Sequence, residues 1–197
     1  NFSAELQESL VLASRSVKNA ADILRRLNSL SGYRATFVRF HLSELLRPLQ
    51  VEQERSPAPL AITLDIDDRE IVTDACLFLL CMGELLSNVR EHAYAEVPVE
   101  AGASSRPVCI SAQYRSGDGR IRIELRDEGI GMPPEALVAS SRPFFSRRHQ
   151  RGHTGSGLGL HLVEFAVTQL LGGGFQLLPA TDEGLKAILD LPADGAP

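Results

Sequence analysis

Leu6, Leu10, Ala13, Val17, Ala20, Leu24 and Leu27 recur at alternating steps of four and three, with Glu8, Arg15, Lys18, Asp22 and Arg25 between them. This is the a/d seam of a coiled coil or helical hairpin. Ala13 and Ala20 are small enough to let a partner helix approach closely. A lone amphipathic helix leaves its apolar stripe in water. The segment is therefore expected to pair, within a dimer or with a hairpin partner outside this chain. Ser31 and Gly32 end it with a C-terminal glycine.

The pattern then changes. Leu42, Leu45, Leu46 and Leu49 mark a short second helix, residues 52–59 form a polar connector, and Leu60 to Ile66 alternate like a strand. Ile71, Ala75, Phe78, Met82, Leu85 and Val89 keep helical spacing, which predicts one long helix over residues 69–94. Strands follow over 108–113 and 120–126. In the second, Ile121, Ile123 and Leu125 alternate with Arg122 and Glu124, as in a sheet with one solvated face. A short helix is expected over 133–140, a mobile loop over 144–153, and a helix running to Leu171 that Gly172 to Gly174 break. A hairpin of strands over 175–179 and 185–191 closes the chain. Strands and helices that do not alternate strictly point to an α+β layered sandwich.

Composition narrows the class. The chain has 197 residues, enough for one full domain plus an appendage, and its 44% hydrophobic and 23% charged residues are ordinary for a globular protein. A net charge of −5 argues against a nucleic-acid partner. No apolar run approaches the ~20 residues that span a bilayer, so no membrane contact is expected. No signal peptide is visible, and the first residue is Asn1. The expectation is a cytoplasmic piece of a longer protein that is anchored, if at all, upstream. Cys76, Cys81 and Cys109 are odd in number and lack metal-ligand spacing, which reads as buried, reduced thiols.

The candidate chemistry lies in three places. Glu84, Asn88 and His92 are spaced i, i+4, i+8 and so share one helix face. An amide oxygen such as that of Asn88 suits Mg²⁺, and Glu84 can orient a water or accept a proton. Alone, such a stripe is usually a solvated face. Asp127 to Met132 form an acidic glycine turn after a strand, and Gly155, Gly157 and Gly159 open a helix. Glycine lets the backbone approach a ligand closely, and a helix start favours anions. Each turn alone is also compatible with ordinary turn chemistry or close helix packing. Their order suggests a nucleotide site with separate ends for base and phosphates.

In that order, the motifs resemble those of the GHKL ATPase superfamily, and within it the catalytic ATP-binding domain of bacterial sensor histidine kinases. Glu84 to Ala93 resemble the family's N box, Asp127 to Met132 its first G box, Gly155 to Leu160 its second, and Phe144 to Arg148 the F box beside the ATP lid. The resemblance covers about residues 33–192, and residues 1–32 resemble the second helix of the dimerisation and phosphotransfer hairpin. It implies a catalytic domain over 33–197 with the two-layer Bergerat fold, a mixed sheet covered by helices on one face. It also implies ATP and Mg²⁺ as cofactors. Asp127 would receive the adenine amine, in a pocket formed with Gly129, Ile130, Gly131 and Met132. Asn88 would hold Mg²⁺, with His92 and Phe145 near the nucleotide. Gly155, Ser156, Gly157, Leu158, Gly159 and Leu160 would face the phosphates. Arg147 or Arg148 would reach the γ-phosphate, and Glu84 is the candidate base.

The chain departs from the family pattern at three points. Glu91 stands where many members carry a basic residue, with Arg90 one position earlier. Glu84 replaces a common asparagine and matches ATP-hydrolysing and serine-kinase relatives. No phosphoacceptor motif is present, and His41 is read as structural. The expected activity is thus transfer of the ATP γ-phosphoryl group to a histidine on an upstream helix, then to a response regulator, in a homodimer paired through the N-terminal helix. An anti-sigma-type serine kinase and a nucleotide-sensing module without kinase activity are the alternatives.

Overall fold

The computed structural model describes residues 32–56, 59–94, 106–140, 159–180 and 184–195. The heptad segment, the 144–153 loop with Phe145, Arg147 and Arg148, and Gly155 to Leu158 lie outside the described residues. The chain runs β1 (Val38–His41), α1 (Leu42–Glu54), β2 (Leu60–Ile66), β3 (Glu70–Thr73) and α2 (Ala75–Asn88), the last continuing into a π-helical turn (Val89–Ala93). Then come β4 (Arg106–Arg115), β5 (Arg120–Asp127), α3 (Pro134–Ser140) and α4 (Gly159–Phe165). A second π-helical turn (Ala166–Leu170), β6 (Gly174–Pro179) and β7 (Leu185–Pro192) complete it.

Five strands form one mixed sheet in the order β2-β4-β5-β7-β6, in which only the β2–β4 pairing is parallel. The period-2 pattern decides which face is covered. Rows such as Ala112–Ile123–Leu189 and Ile110–Leu125–Ala187 lie side by side in the register and are buried. They pack against Leu42, Leu46, Phe78, Met82, Leu85, Leu162 and Val163 of the helices in one apolar core. The opposite face carries Arg122, Glu124 and Lys186, with Lys186 Nζ 3.4 Å from Glu124 Oε2. The α+β sandwich with one covered and one solvated face is what the alternation predicts.

The helix expected from Arg69 instead starts at Ala75. Glu70–Thr73 is a strand, paired antiparallel with β1 in a separate two-stranded sheet. The run Ile71, Val72 and Thr73 is β-branched throughout and favours an extended chain. Asp74 then accepts a hydrogen bond from Leu77 N (3.0 Å) as the N-cap and starts α2 there. The same carboxylate accepts from the Tyr33 hydroxyl and from Thr36 N (2.7 Å), tying the entering chain to this helix.

The thiols also need correction. All three are free, but only Cys81 is buried, while Cys76 and Cys109 are exposed. Cys109 lies on the solvated sheet face because its strand neighbours Val108 and Ile110 point inward. Burial pushes the Cys81 thiol up to about 12, with the Glu84 carboxylate adding to the shift. His41 is exposed at the start of α1, where its backbone N–H donates to Glu44 Oε2 (2.9 Å).

Candidate nucleotide site

The site is built around the second half of α2 and the π turn after it. Leu77, Phe78, Cys81, Met82, Leu85 and Leu86 point into the core, which leaves Glu84 and Asn88 half-buried on the flank. The first residue of α4 lies against that flank. A Cβ on Gly159 would sit 2.9 Å from Glu84 Oε2 and 3.4 Å from Asn88 Nδ2, so a larger residue here would press on the Glu84 tip and narrow the space over Asn88. The Asn88 amide nitrogen is buried and has no hydrogen-bond partner among the described residues. An orphaned buried donor is costly and rare. It is free to donate to a group that enters this end.

Past Asn88 the α-helical phase ends. Residues 89–93 form the π turn, so the i, i+4, i+8 stripe holds only from Glu84 to Asn88. His92 lies half-buried inside the turn. Such turns concentrate at functional sites because they re-aim the side chains beyond them. Here Ala93 and Tyr94 are brought against the Asp127 turn. Ile130 N donates to Ala93 O (3.0 Å), and a Cβ on Gly129 would collide with Ala93. The residue at 129 must therefore be glycine.

Asp127 ends β5 on its inward register, after Ile121, Ile123 and Leu125, and is 3% exposed. A carboxylate thus occupies a place where the strand pattern otherwise puts an apolar side chain. Burial raises its pKa above the usual carboxylate range, while backbone N–H donors at Gly129 and Leu185 pull it back down. Its Oδ1 accepts from Gly129 N at 2.9 Å. Gly131 has a φ of 65° and faces the Gly184 carbonyl, with Ile130 exposed and Met132 half-buried beside it.

Two residues of this wall carry no functional signal in the sequence. Gly184, with φ 91°, packs so tightly on Asp127 that a Cβ there would overlap the Asp127 carbonyl. Along the chain it is legible only as part of a hairpin turn. Tyr94 marks only a helix end there, yet its hydroxyl accepts from Glu128 N (3.1 Å) and donates to Pro107 O (2.6 Å).

Gly159 and the Asp127 turn therefore both rest on one helix, beside Asn88 and at Ala93. Arg90 is not part of the site, because its guanidinium donates to Gln53 Oε1 and Ser56 Oγ, both at 3.1 Å, on the side of α1. Glu91 accepts from Ser87 Oγ (3.1 Å). A separate cleft of about 630 Å³ runs between Ser43, Arg47 and Gln50 of α1 and β2, the outer strand of the described sheet, away from these residues.

The family profile described as histidine kinase-, DNA gyrase B-, and HSP90-like ATPase matches residues 74–195, from the cap of α2 to the end of the sheet. The chain belongs to this ATPase family. It is 37% identical over 79 residues to the sensor histidine kinase ZraS of Klebsiella oxytoca, a match that covers 40% of this chain and 16% of that protein. Its fold matches full-length ShkA solved in complex with AMPPNP, with a TM-score of 0.68 and 19% identity over 96% of this chain and 39% of the other. It also matches the histidine kinase ThkA solved with the response regulator TrrA, with a TM-score of 0.66 and 18% identity over 95% and 51% of the two chains. These likenesses identify the fold as that of sensor histidine kinase catalytic domains. Among the described residues no helix is long and apolar enough to cross a membrane.

Proposed function

We propose that this chain is the ATP-binding catalytic part of a two-component sensor histidine kinase. Residues 33–197 form the ATPase domain, and residues 1–32 belong to a dimerisation and phosphotransfer hairpin that pairs two copies. The observation that carries the reading is the division of one helix between two unlike contacts. Against its far end stands a buried, pre-bonded carboxylate, Asp127, and at its nearer end the buried amide nitrogen of Asn88, which no group among the described residues satisfies.

Asp127 accepts the exocyclic amine of adenine, and the glycines at 129, 131 and 184 let the backbone close around the base. Ile130 and Met132 line its mouth. Gly159 keeps the space above Asn88 open for the phosphates, with Gly155, Ser156, Gly157, Leu158 and Leu160 adding backbone donors at the helix start. The donor set fits Mg²⁺: a hard amide oxygen from Asn88 leaves the remaining positions to phosphates and water. When bound, the ion neutralises charge on the triphosphate. Arg147 and Arg148 supply further positive charge at the γ-phosphate, with Phe145 bordering the lid and His92 beside the nucleotide. Phosphoryl transfer needs mainly such positioning and charge stabilisation. The partners are an upstream phosphoacceptor helix of the same protein and a response regulator, the latter as for the relative solved with TrrA. Glu84, beside Gly159, favours a second reading as a serine kinase of the anti-sigma type, in which it serves as the base.

The test is phosphotransfer from radiolabelled ATP with this chain alone and with a longer protein that includes the upstream helix. An acid-labile phosphate is expected on the longer protein only, and transferable to a response regulator. Acid-stable phosphoserine on a partner protein would favour the second reading instead. ATP binding without any transfer would reduce the domain to a nucleotide sensor.

A further inference from the structure

We propose that Tyr94 is a positioning residue for base recognition, holding the Asp127 turn in the geometry that receives adenine; this deepens the nucleotide reading above and rests on it. The β4–β5 ladder runs antiparallel down to the pair Val108↔Asp127 and stops there. One step further, Pro107 and Glu128 would face each other as the next pair. They do not bond directly. The Tyr94 hydroxyl stands between them, donating to Pro107 O at 2.6 Å and accepting from Glu128 N at 3.1 Å. It acts as an inserted rung that ends the sheet and steers the chain into the glycine turn.

The hydroxyl is directional because its one proton is committed to Pro107, so its lone pair must serve Glu128. Tyr94 is 5% exposed, and a buried phenol depends on such partners. The Arg106 guanidinium lies 5.9 Å from its ring centre. The π turn is what delivers the side chain to this place directly after Ala93. With Tyr94 in position, the amides of three successive turn residues are all held: Glu128 by Tyr94, Gly129 by Asp127 and Ile130 by Ala93. Of these, the first is the only one made by a side chain outside the turn. Without the hydroxyl, Pro107 O and Glu128 N either close on each other or take up water. The first moves the backbone next to Asp127, and the second replaces an anchored phenol by an exchangeable water, so each loosens the aim of the carboxylate.

Calorimetric titration of this chain with ATP and with ITP, which carries an oxo group in place of the 6-amine, tests the proposal. Wild type, Tyr94→Phe and Asp127→Asn are compared, with hydrogen exchange at the Glu128 amide followed by NMR. Tyr94→Phe is expected to weaken ATP about tenfold, the scale of one hydrogen bond to a charged group, and ITP no more than about twofold, with Glu128 exchange at least about tenfold faster. Unchanged ATP affinity in Tyr94→Phe beside a loss in Asp127→Asn would overturn the role of Tyr94 and leave the nucleotide reading standing. Equal losses for ATP and ITP would reduce Tyr94 to packing and also overturn it. If Asp127→Asn leaves ATP binding intact, the nucleotide reading falls and the inference with it. Should Tyr94→Phe fail to fold, the wild-type Glu128 amide decides: slow exchange supports the rung, and exchange at the open-chain rate refutes it.

Discussion

The Asp127 end and the Asn88 end of the site sit on the same helix, yet they are finished to different degrees. Around Asp127 the amides of Glu128, Gly129 and Ile130 are all bonded, and the packing is too tight for a Cβ at 129 or 184. Around Asn88 a buried amide nitrogen lacks a partner among the described residues, and the tightest neighbour of Gly159 is the flexible tip of Glu84. A flat, neutral base needs a rigid wall that is right before it arrives. A charged triphosphate brings its own strong interactions, so its end can remain open until then. On the proposed reading, the difference separates a preorganised subsite from one completed by its ligand.

The largest effect should come from filling the rigid end. Gly184→Ala puts a Cβ into the Asp127 carbonyl and imposes a left-handed backbone on alanine. A cost of about 3 kcal/mol is expected from strain and overpacking together, read as a denaturant midpoint. A loss of stability below about 0.5 kcal/mol would mean that the wall is softer than it looks.

Next is Asp127→Asn. Loss of ATP affinity by roughly 10- to 100-fold is expected from removing a hydrogen bond to a charged acceptor. Stability should move the other way. The folded pKa of Asp127 lies above its unfolded value, so the ionised group costs stability. That cost is fully present above the folded pKa and fades as pH falls through it towards the unfolded value. At neutral pH the variant should therefore melt higher, by about 2–4 °C for each kcal/mol recovered, and the gap should narrow on acidification. A lower melting temperature at pH 7 would show that the Gly129 and Leu185 amides outweigh burial.

Smaller effects belong to the open end. Gly159→Ala asks only the Glu84 tip to move, and alanine gains helix propensity of up to ~1 kcal/mol over glycine, so stability should hold. ATP binding should weaken more than adenosine binding, because the methyl occupies space over Asn88. Equal weakening of both ligands would place the phosphates elsewhere. Asn88→Ala should lower apo stability by no more than about 0.5 kcal/mol, since the lost amide nitrogen has no partner among the described residues. It should abolish the Mg²⁺-dependent increment in nucleotide affinity, measured by titration with and without the ion.

Much of this is legible in one dimension. Period-2 alternation in β5 announces both the core face and, by extension, the inward place of Asp127. Glycine spacing announces the Asp127 turn. What misleads is continuity of period: Ile71 and Ala75 fit one helical stripe with Phe78, although a β-branched strand and an Asp cap lie between them. The exposure of Cys76 and Cys109 is hidden for a related reason. Side-chain polarity does not say which face of a sheet or helix is covered.

The sequence by itself determined the class of the domain, the order of its motifs and the residue types at both ends of the site, because these depend on local periodicity and local turn chemistry. Only the tertiary structure decided that Gly184 backs Asp127, that Arg90 turns away to Gln53, and that Tyr94 bridges Pro107 and Glu128. These pairings join residues far apart in the chain or rotated by a π turn, and no local pattern encodes where such groups meet.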